Sequence, residues 1–285
     1  MKKAYVITNP HKDCDLNVLN KVKSVLKNND VQCITNEIRL KSDIEDIYFT
    51  NPDDVDKDTD YIVVIGGDGT LIQAARDLRN LDIPMIGINL GHLGYLAEIE
   101  QDRFEESLSM MVQGKYKVES RIMLNGSVYR NNKLIYDDIA LNDIVLSRYG
   151  NLRVIDFKVY VNNEYLNMYS ADGVIVATPT GSTAYNLSAG GPVLEPCAGI
   201  IVITPICSHT LGARSIVLSA DSKVTIEVCN NRHSDDNSAM VYFDGNNTFT
   251  LNEGDIIEIN KSSLNTKIMK LNNMSFVEVL HKKMN

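Results

Sequence analysis

Apolar residues in the first third of the chain come in short unbroken runs rather than in alternation. Residues 4–8, 62–65 and 83–89 each read as a strand of a parallel sheet covered on both faces. Between these runs the spacing becomes helical. Leu16, Leu19, Val22 and Leu26 follow a cap at Asp15, and Leu71, Ala74, Ala75 and Leu78 follow Thr70 as a cap. Phe104, Leu108 and Met111 form the inward stripe of a helix over about residues 102–113, and residues 31–36 predict a further strand. After Gly114 the rhythm changes. Residues 121–129, 133–148, 157–161 and 223–228 are alternating segments, separated by turns such as Asn131-Asn132, Asn162-Asn163 and Gly245-Asn246-Asn247. A run of βα units followed by a run of strands predicts two domains, an α/β domain over 1–118 and an all-β domain over 119–261. Residues from about 262 to 285 are expected to return to the first domain, because short strands need a partner.

Residues 61–70, YIVVIGGDGT, organise the first half. A buried strand ends abruptly in three glycines and an aspartate, then opens a helix, so unpaired N–H groups and the positive end of the helix face the turn. Gly66, Gly67 and Gly69 remove every Cβ that would keep a polyphosphate off the backbone, and Asp68 is the one side chain with reach. A carboxylate beside phosphate repels its ligand unless it binds a metal or accepts a proton. A second glycine loop, residues 89–96, ends the strand 83–89 and places His92 and Tyr95 at the ligand-binding edge of such a sheet. His92 reads as a base or, more ordinarily, as a turn hydrogen-bonder; Tyr95 suits one wall for a planar base.

Within the β-rich half, residues 172–192 do not read as sheet. A buried strand at 174–177 gives way to a loop in which Thr180, Ser182, Thr183 and Ser188 supply uncharged donors and acceptors, and Gly181, Gly190 and Gly191 allow close approach of a ligand. Capping of a helix by Ser182 or Thr183 explains part of this pattern. Asn142-Asp143 lies inside the strand-like stretch 139–146, where a buried, unpaired Asp is costly. A carboxylate accepting both hydroxyls of a ribose would offset that cost, and Asp172 invites the same reading or holds the turn.

Composition narrows the class further. A formal charge of -9 and a pI near 5.1 argue against sequence-independent nucleic-acid binding. Five cysteines without CxxC or metal-ligand spacing point to free thiols in a reducing compartment. The first residues are too briefly apolar for a signal peptide, and residues 197–207 fall short of a membrane span, so a cytoplasmic protein is expected. Asp54, Asp56 and Asp58 have the opening spacing of a calcium loop, but Thr59 and Ile65 stand where glycine and glutamate are required, so a solvated, mobile loop is the better account.

GGDGT at 66–70 resembles the phosphate-binding signature shared by NAD kinases, diacylglycerol and sphingosine kinases and, more distantly, phosphofructokinases. Together with the 89–96 loop, Asn142-Asp143 and DGVIVATPTGSTAYNLSAGGP at 172–192, it makes the chain resemble the NAD kinase family over residues from about 60 to 215. That resemblance implies a Rossmann-like amino domain, a β-sandwich carboxyl domain, a homodimer or homotetramer, and phosphate transfer from ATP or another donor to the adenosine ribose 2′-hydroxyl of NAD. It implies Mg²⁺ or another divalent metal bound with the donor, no dedicated metal ligands, and neither nucleic acid nor membrane as partner. Carried over by position, Asp68 is the base, and Gly66, Gly67, Gly69 and Thr70 meet phosphates. Tyr95, Asn142, Asp143, Thr180, Thr183, Ala184, Tyr185 and Ser188 hold NAD, with Asp172 by the nicotinamide. The chain departs from the family's pattern at Asp143, where Glu is common, at Ala171, where Gly or Ser is common, and at Arg214-Ser215, where Arg-Pro is frequent. With no lysine or arginine evident beside the turn, the metal is expected to supply much of the positive charge. The rival readings are a lipid kinase, which would show an apolar or basic membrane-facing patch not evident in the sequence, and a non-catalytic NAD(P) sensor.

Overall fold

The computed structural model describes residues 1–35, 50–91, 94–97, 99–150, 153–209, 212–229, 239–271 and 275–284. The chain divides into two compact units, Met1–Arg121 with Asn265–Asn285, and Ile122–Leu264.

The first unit begins with β1 (Lys2–Thr8), α1 (Asn17–Asn28), β2 (Val31–Ile34), β3 (Tyr61–Gly66) and α2 (Asp68–Asp77), followed by β4 (Met85–Asn89), β5 (Ile99–Glu100) and α3 (Phe104–Val112). Its strands are parallel in the order β2-β1-β3-β4, with β5 beside β4. Burial on both faces follows from the pleat. Tyr61, Val63 and Ile65 join α1 and α3 in one core cluster, while Ile62 and Val64 point to the opposite face, where α2 packs on β3 and β4. The chain moves outward from β1 to β2, then returns to place β3 on the other side of β1. The carboxyl ends of β1 and β3 therefore flank the point where the winding reverses, the place where open α/β sheets bind ligands.

Two details differ from expectation. Helix α1 is not capped by Asp15: its boundary residue is Leu16, in the left-handed region, and Asp13 accepts the N–H groups of Val18 (3.0 Å) and Leu19 (2.9 Å). The acidic stretch before β3 is exposed, but it is also tethered. Lys3 Nζ reaches Asp56 (3.2 Å) and Asp58 (2.7 Å), and the Lys3 N–H donates to the Asp60 carboxylate.

The second unit takes up the chain within β6 (Lys117–Arg130) and continues through β7 (Lys133–Ala140), β8 (Asp143–Arg148), β9 (Ile155–Val161), β10 (Glu164–Ala171) and β11 (Gly173–Ala177). After the short α4 (Tyr185–Ser188) come β12 (Ile200–Ile206), β13 (Ile216–Ser219), β14 (Val224–Val228), β15 (Ala239–Phe243), β16 (Asn247–Leu251) and β17 (Ile256–Lys270). One sheet has the order β13-β12-β11-β8-β15-β16, and the facing one contains β10-β9-β14-β17 with β6 and β7. Ile144, Leu146, Val174, Val176 and Phe243 from the first meet Phe157, Val159, Ile226 and Ile257 from the second, which makes this unit a β-sandwich. The reverse face of β8 and β11 is also buried, because Val145, Ile175 and Ala177 pack under Leu194. This explains why β11 lacks polar alternation. Hairpin turns fall where asparagine pairs predict them, with Asn131, Asn132, Asn162 and Asn163 all at positive φ; in the last hairpin the left-handed pair is Asp244-Gly245.

The stretch expected as one strand over 133–148 is two, β7 and β8, parted at Leu141-Asn142. The tail of β17 belongs to the first unit, where Ile268 pairs in parallel with Met85, and α5 (Phe276–Met284) closes the chain.

Asp255 is fully buried in the second unit and accepts a bidentate pair from Arg130, Nε at 2.9 Å and Nη2 at 2.7 Å, plus the Asn252 N–H. Arg130→Ala strands that carboxylate and is expected to cost about 3 kcal/mol in urea unfolding. A loss under 0.5 kcal/mol would show that water replaces the guanidinium.

Candidate functional site

In the first unit the GGDGT turn is tied to its neighbours by main-chain bonds. The Asn9 N–H donates to Ile65 O (2.9 Å), the Leu90 N–H donates to Gly66 O (2.8 Å), and Asn9 Nδ2 donates to Thr70 Oγ1 (3.2 Å). Thr70 is thus not the helix cap; Gly67 holds that position and Asp68 is the first residue of α2. Gly66 serves packing, because a Cβ there would stand 2.5 Å from Thr70 Oγ1. Gly69 is exposed with open space around it, which leaves the N–H groups of the first helical turn approachable.

Asp68 does not hang free in the turn. Its Oδ2 accepts the Tyr95 N–H (2.7 Å), and its Oδ1 accepts the N–H groups of Leu96 (3.1 Å) and Ala97 (2.9 Å). The carboxylate therefore locks the loop after β4 onto the turn after β3. Leu96 and Ala97 are buried, and Gly87 of β4 admits Ala97, since a Cβ at 87 would lie 2.8 Å from Ala97 Cα. Gly94 has the same kind of reason: its Cβ would fall 1.9 Å from Asp68 Oδ1. A carboxylate has about four acceptor positions, so one on Oδ2 stays open. Tyr95 sits in this loop with Lys283 Nζ of α5 over its ring, 5.0 Å from the centroid. His92 lies outside the described residues.

Sequence reasoning missed a lysine here. Lys12, in the turn after β1, brings its Nζ to 2.9 Å from where a Cβ of Gly67 would stand, so the expectation of no basic side chain beside the turn is corrected. Fifty-four residues of intervening chain hide this pairing; parallel pairing of β1 with β3 brings it about.

In the second unit the break between β7 and β8 has a cause. The Asp244 carboxylate accepts the N–H groups of Leu141 (2.8 Å), Asn142 (2.7 Å) and Asp143 (3.2 Å), which diverts them from the ladder. The 178–192 loop is fastened to the same spot. Thr178 N–H donates to Asn142 O, Thr178 Oγ1 donates to Leu141 O, and Gly181 lies so close that a Cβ would be 2.1 Å from Asn142 O. Gly191 likewise makes room for the Asn186 side chain, so these two glycines serve packing rather than ligand approach. Ser182 is fully buried, donating to Pro179 O (2.6 Å) and accepting the Leu194 N–H (3.0 Å), and no side chain caps α4, whose boundary residue is Ala184. Thr180 is buried and its carbonyl accepts Thr183 Oγ1; Tyr185 and Ser188 are exposed on α4.

Two acceptors at this spot have no protein partner. Asn142 Oδ1 is buried without a hydrogen bond. The Asp143 carboxylate is 5 % exposed, and no donor among the described residues reaches it. Burial first, and the neighbouring Asp244 charge second, push its pKa from 3.8 up to about 7. Partial burial of the otherwise exposed Tyr185 raises its pKa first, with the charges of Cys207, Asp172 and Asp143 adding. Asp172 is paired with Arg148 at the end of β8 (Nε to Oδ1, 2.6 Å).

A doubly wound sheet with a glycine turn at its carboxyl edge, and a β-sandwich with an acceptor-lined loop, define a class: a two-unit protein with the features of a nucleotide binder. The comparisons make this specific. The model of the ATP-NAD kinase N-terminal domain matches residues 5–116, and that of the ATP-NAD kinase C-terminal domain matches residues 141–271. The NAD kinase of Lachnospira eligens is 42% identical over 100% of both chains, and that of Agathobacter rectalis is 43% identical over 100% of this chain and 99% of its own. The chain belongs to the NAD kinase family. Among solved structures, an NAD kinase from Archaeoglobus fulgidus in complex with ATP is similar at TM-score 0.78 and 26% identity, covering 98% of each chain. Yeast NADH kinase complexed with NADH shares the fold at TM-score 0.84 and 21% identity, over 100% of this chain and 87% of that one.

Two outcomes follow from this geometry. Gly94→Ala must displace the Asp68 carboxylate and is expected to abolish turnover while lowering stability by about 1–3 kcal/mol; turnover within twofold of wild type would mean that the lock has no role. Asp143, raised in the fold, contributes stability below about pH 4 that is lost as pH rises toward 7. Asp143→Asn should therefore melt higher than wild type at pH 8 and with it near pH 4, as read by thermal melts across that range.

Proposed function

We propose that the chain phosphorylates NAD to NADP. The second unit holds the dinucleotide: Asn142 and Asp143 offer their unpaired acceptors to ribose hydroxyls, Thr180, Thr183, Ala184, Tyr185 and Ser188 line the loop beside them, and Asp172 stands nearby. In the first unit Gly67, Gly69 and Thr70 meet the donor phosphates at the start of α2, and the ring of Tyr95 borders the base. The observation that carries turnover, rather than binding alone, is the fixed Asp68 carboxylate with one open acceptor position. The adenosine ribose 2′-oxygen attacks the terminal phosphorus, the bond to the leaving diphosphate breaks, and the 2′-OH proton passes to Asp68 Oδ2.

Among the described residues no group of His, Cys, Asp or Glu side chains is arranged to hold a metal by itself. A divalent cation carried by the donor would, when bound, neutralise charge on its phosphates. No helix among the described residues is long and apolar enough to cross a membrane. Cytoplasmic residence and assembly as a homodimer or homotetramer belong to the same reading; five free thiols support a reducing compartment.

The test is NADP formation from NAD, ATP and Mg²⁺, with Asp68→Asn beside wild type. Removal of a positioned base is expected to lower kcat by about 10²–10⁴-fold, or roughly 3–5 kcal/mol. Asparagine also sets an NH₂ group against backbone donors, so loss of the lock would appear in the melting temperature and the donor KM. A fall in kcat with both KM values held assigns the base; a drop below tenfold rejects it. Chelator should abolish turnover. NAD binding without turnover with any donor would favour a sensor.

A further inference from the structure

We propose that Lys12 is a contact residue for the phosphate donor, placing its ammonium against the terminal phosphates at the GGDGT turn. The inference rests on the kinase reading and adds a residue to it.

A triphosphate enters a turn that already carries the Asp68 carboxylate, and the first-turn N–H groups and the helix dipole offer only partial positive charge. Arg76 and Arg79 lie at the far end of α2 or just beyond it. Lys12 instead delivers a full charge beside Gly67, the residue that opens the helix.

Its placement is built. The Lys12 N–H donates to Asn9 O (3.0 Å), which closes a turn, and the Asn9 side chain is spanned between the His11 N–H, which it accepts at 3.0 Å, and Thr70 Oγ1. The next residue, Asp13, is buried and caps α1. The backbone at Lys12 is thus clamped on both sides, at the carboxyl end of β1, and its side chain crosses toward the carboxyl end of β3. These are the two strand ends that flank the switch point of the sheet. Lys12 has no ion-pair partner among the described residues, so donor binding does not require breaking one. A flexible ammonium is suited to a transferring phosphate, because it follows the group as a point charge without bidentate geometry.

Lys12→Met keeps the stem and removes the charge. Its KM for ATP is expected to rise about tenfold or more, while its KM for NAD stays within twofold and its melting temperature is unchanged. Lys12→Arg should recover most of the donor affinity, and the donor KM of wild type should climb more steeply with salt than that of Lys12→Met. Binding of inorganic tripolyphosphate, measured by calorimetry without NAD, separates this proposal from the reaction assignment. If wild type makes no NADP yet binds tripolyphosphate more tightly than Lys12→Met, the kinase reading fails and the lysine assignment stands. A donor KM or tripolyphosphate affinity within twofold of wild type in Lys12→Met, or no tripolyphosphate binding by wild type at all, overturns it.

Discussion

Three backbone N–H groups converging on the Asp68 carboxylate join the two strand ends that carry the chemistry of the first unit. A short loop that turns back over a sheet edge has donors its own geometry cannot satisfy, and burial of Leu96 and Ala97 makes those donors expensive to leave unpaired. One ionised side chain satisfies all of them. In return the loop holds the carboxylate at a single rotamer with one acceptor position facing outward. The absence of side chains at Gly94 and Gly87 is what lets the two segments approach so closely.

The second unit uses the same device for another end. Asp244, held at positive φ in a hairpin turn, gathers the N–H groups of residues 141–143 and so parts β7 from β8, leaving Asp143 as the first residue of the β8 ladder, opposite Ala177. Three aspartates thus have two fates. Asp68 and Asp244 each accept three backbone N–H groups and organise loops, whereas Asp143 is buried without a donor and raised by its surroundings. An uncompensated buried carboxylate is retained at a cost in stability, and a ligand bearing paired hydroxyls offers the missing compensation.

Glycine-rich segments invite a single explanation, close approach of a phosphate or a base, and here that explanation divides. Gly66, Gly87, Gly94, Gly181 and Gly191 make room for protein atoms, while Gly69 opens to solvent. Much of what reads as a ligand signature along the chain is the packing that positions the loops.

The order of elements, the change from βα units to strands, the asparagine hairpins and the GGDGT turn could all be read from the chain, because hydrophobic period and turn chemistry act over a few neighbours. The residues of the long loop and Asn142-Asp143 could also be singled out, since polar groups at buried positions break the local pattern. Lys12 beside Gly67, Asp68 beneath residues 95–97 and Asp244 beneath residues 141–143 could not. Each depends on strand pairing or hairpin closure that brings together residues far apart in sequence, and a local pattern carries no record of what stands across a sheet. The cap of α1 shows the same limit at short range: Asp15 had the expected position, but a left-handed Leu16 turned the chain so that Asp13 faced the open N–H groups instead. Local chemistry determined which segments would fold and which residues were out of place; tertiary packing decided which carboxylates were engaged by the backbone and which was buried without a donor.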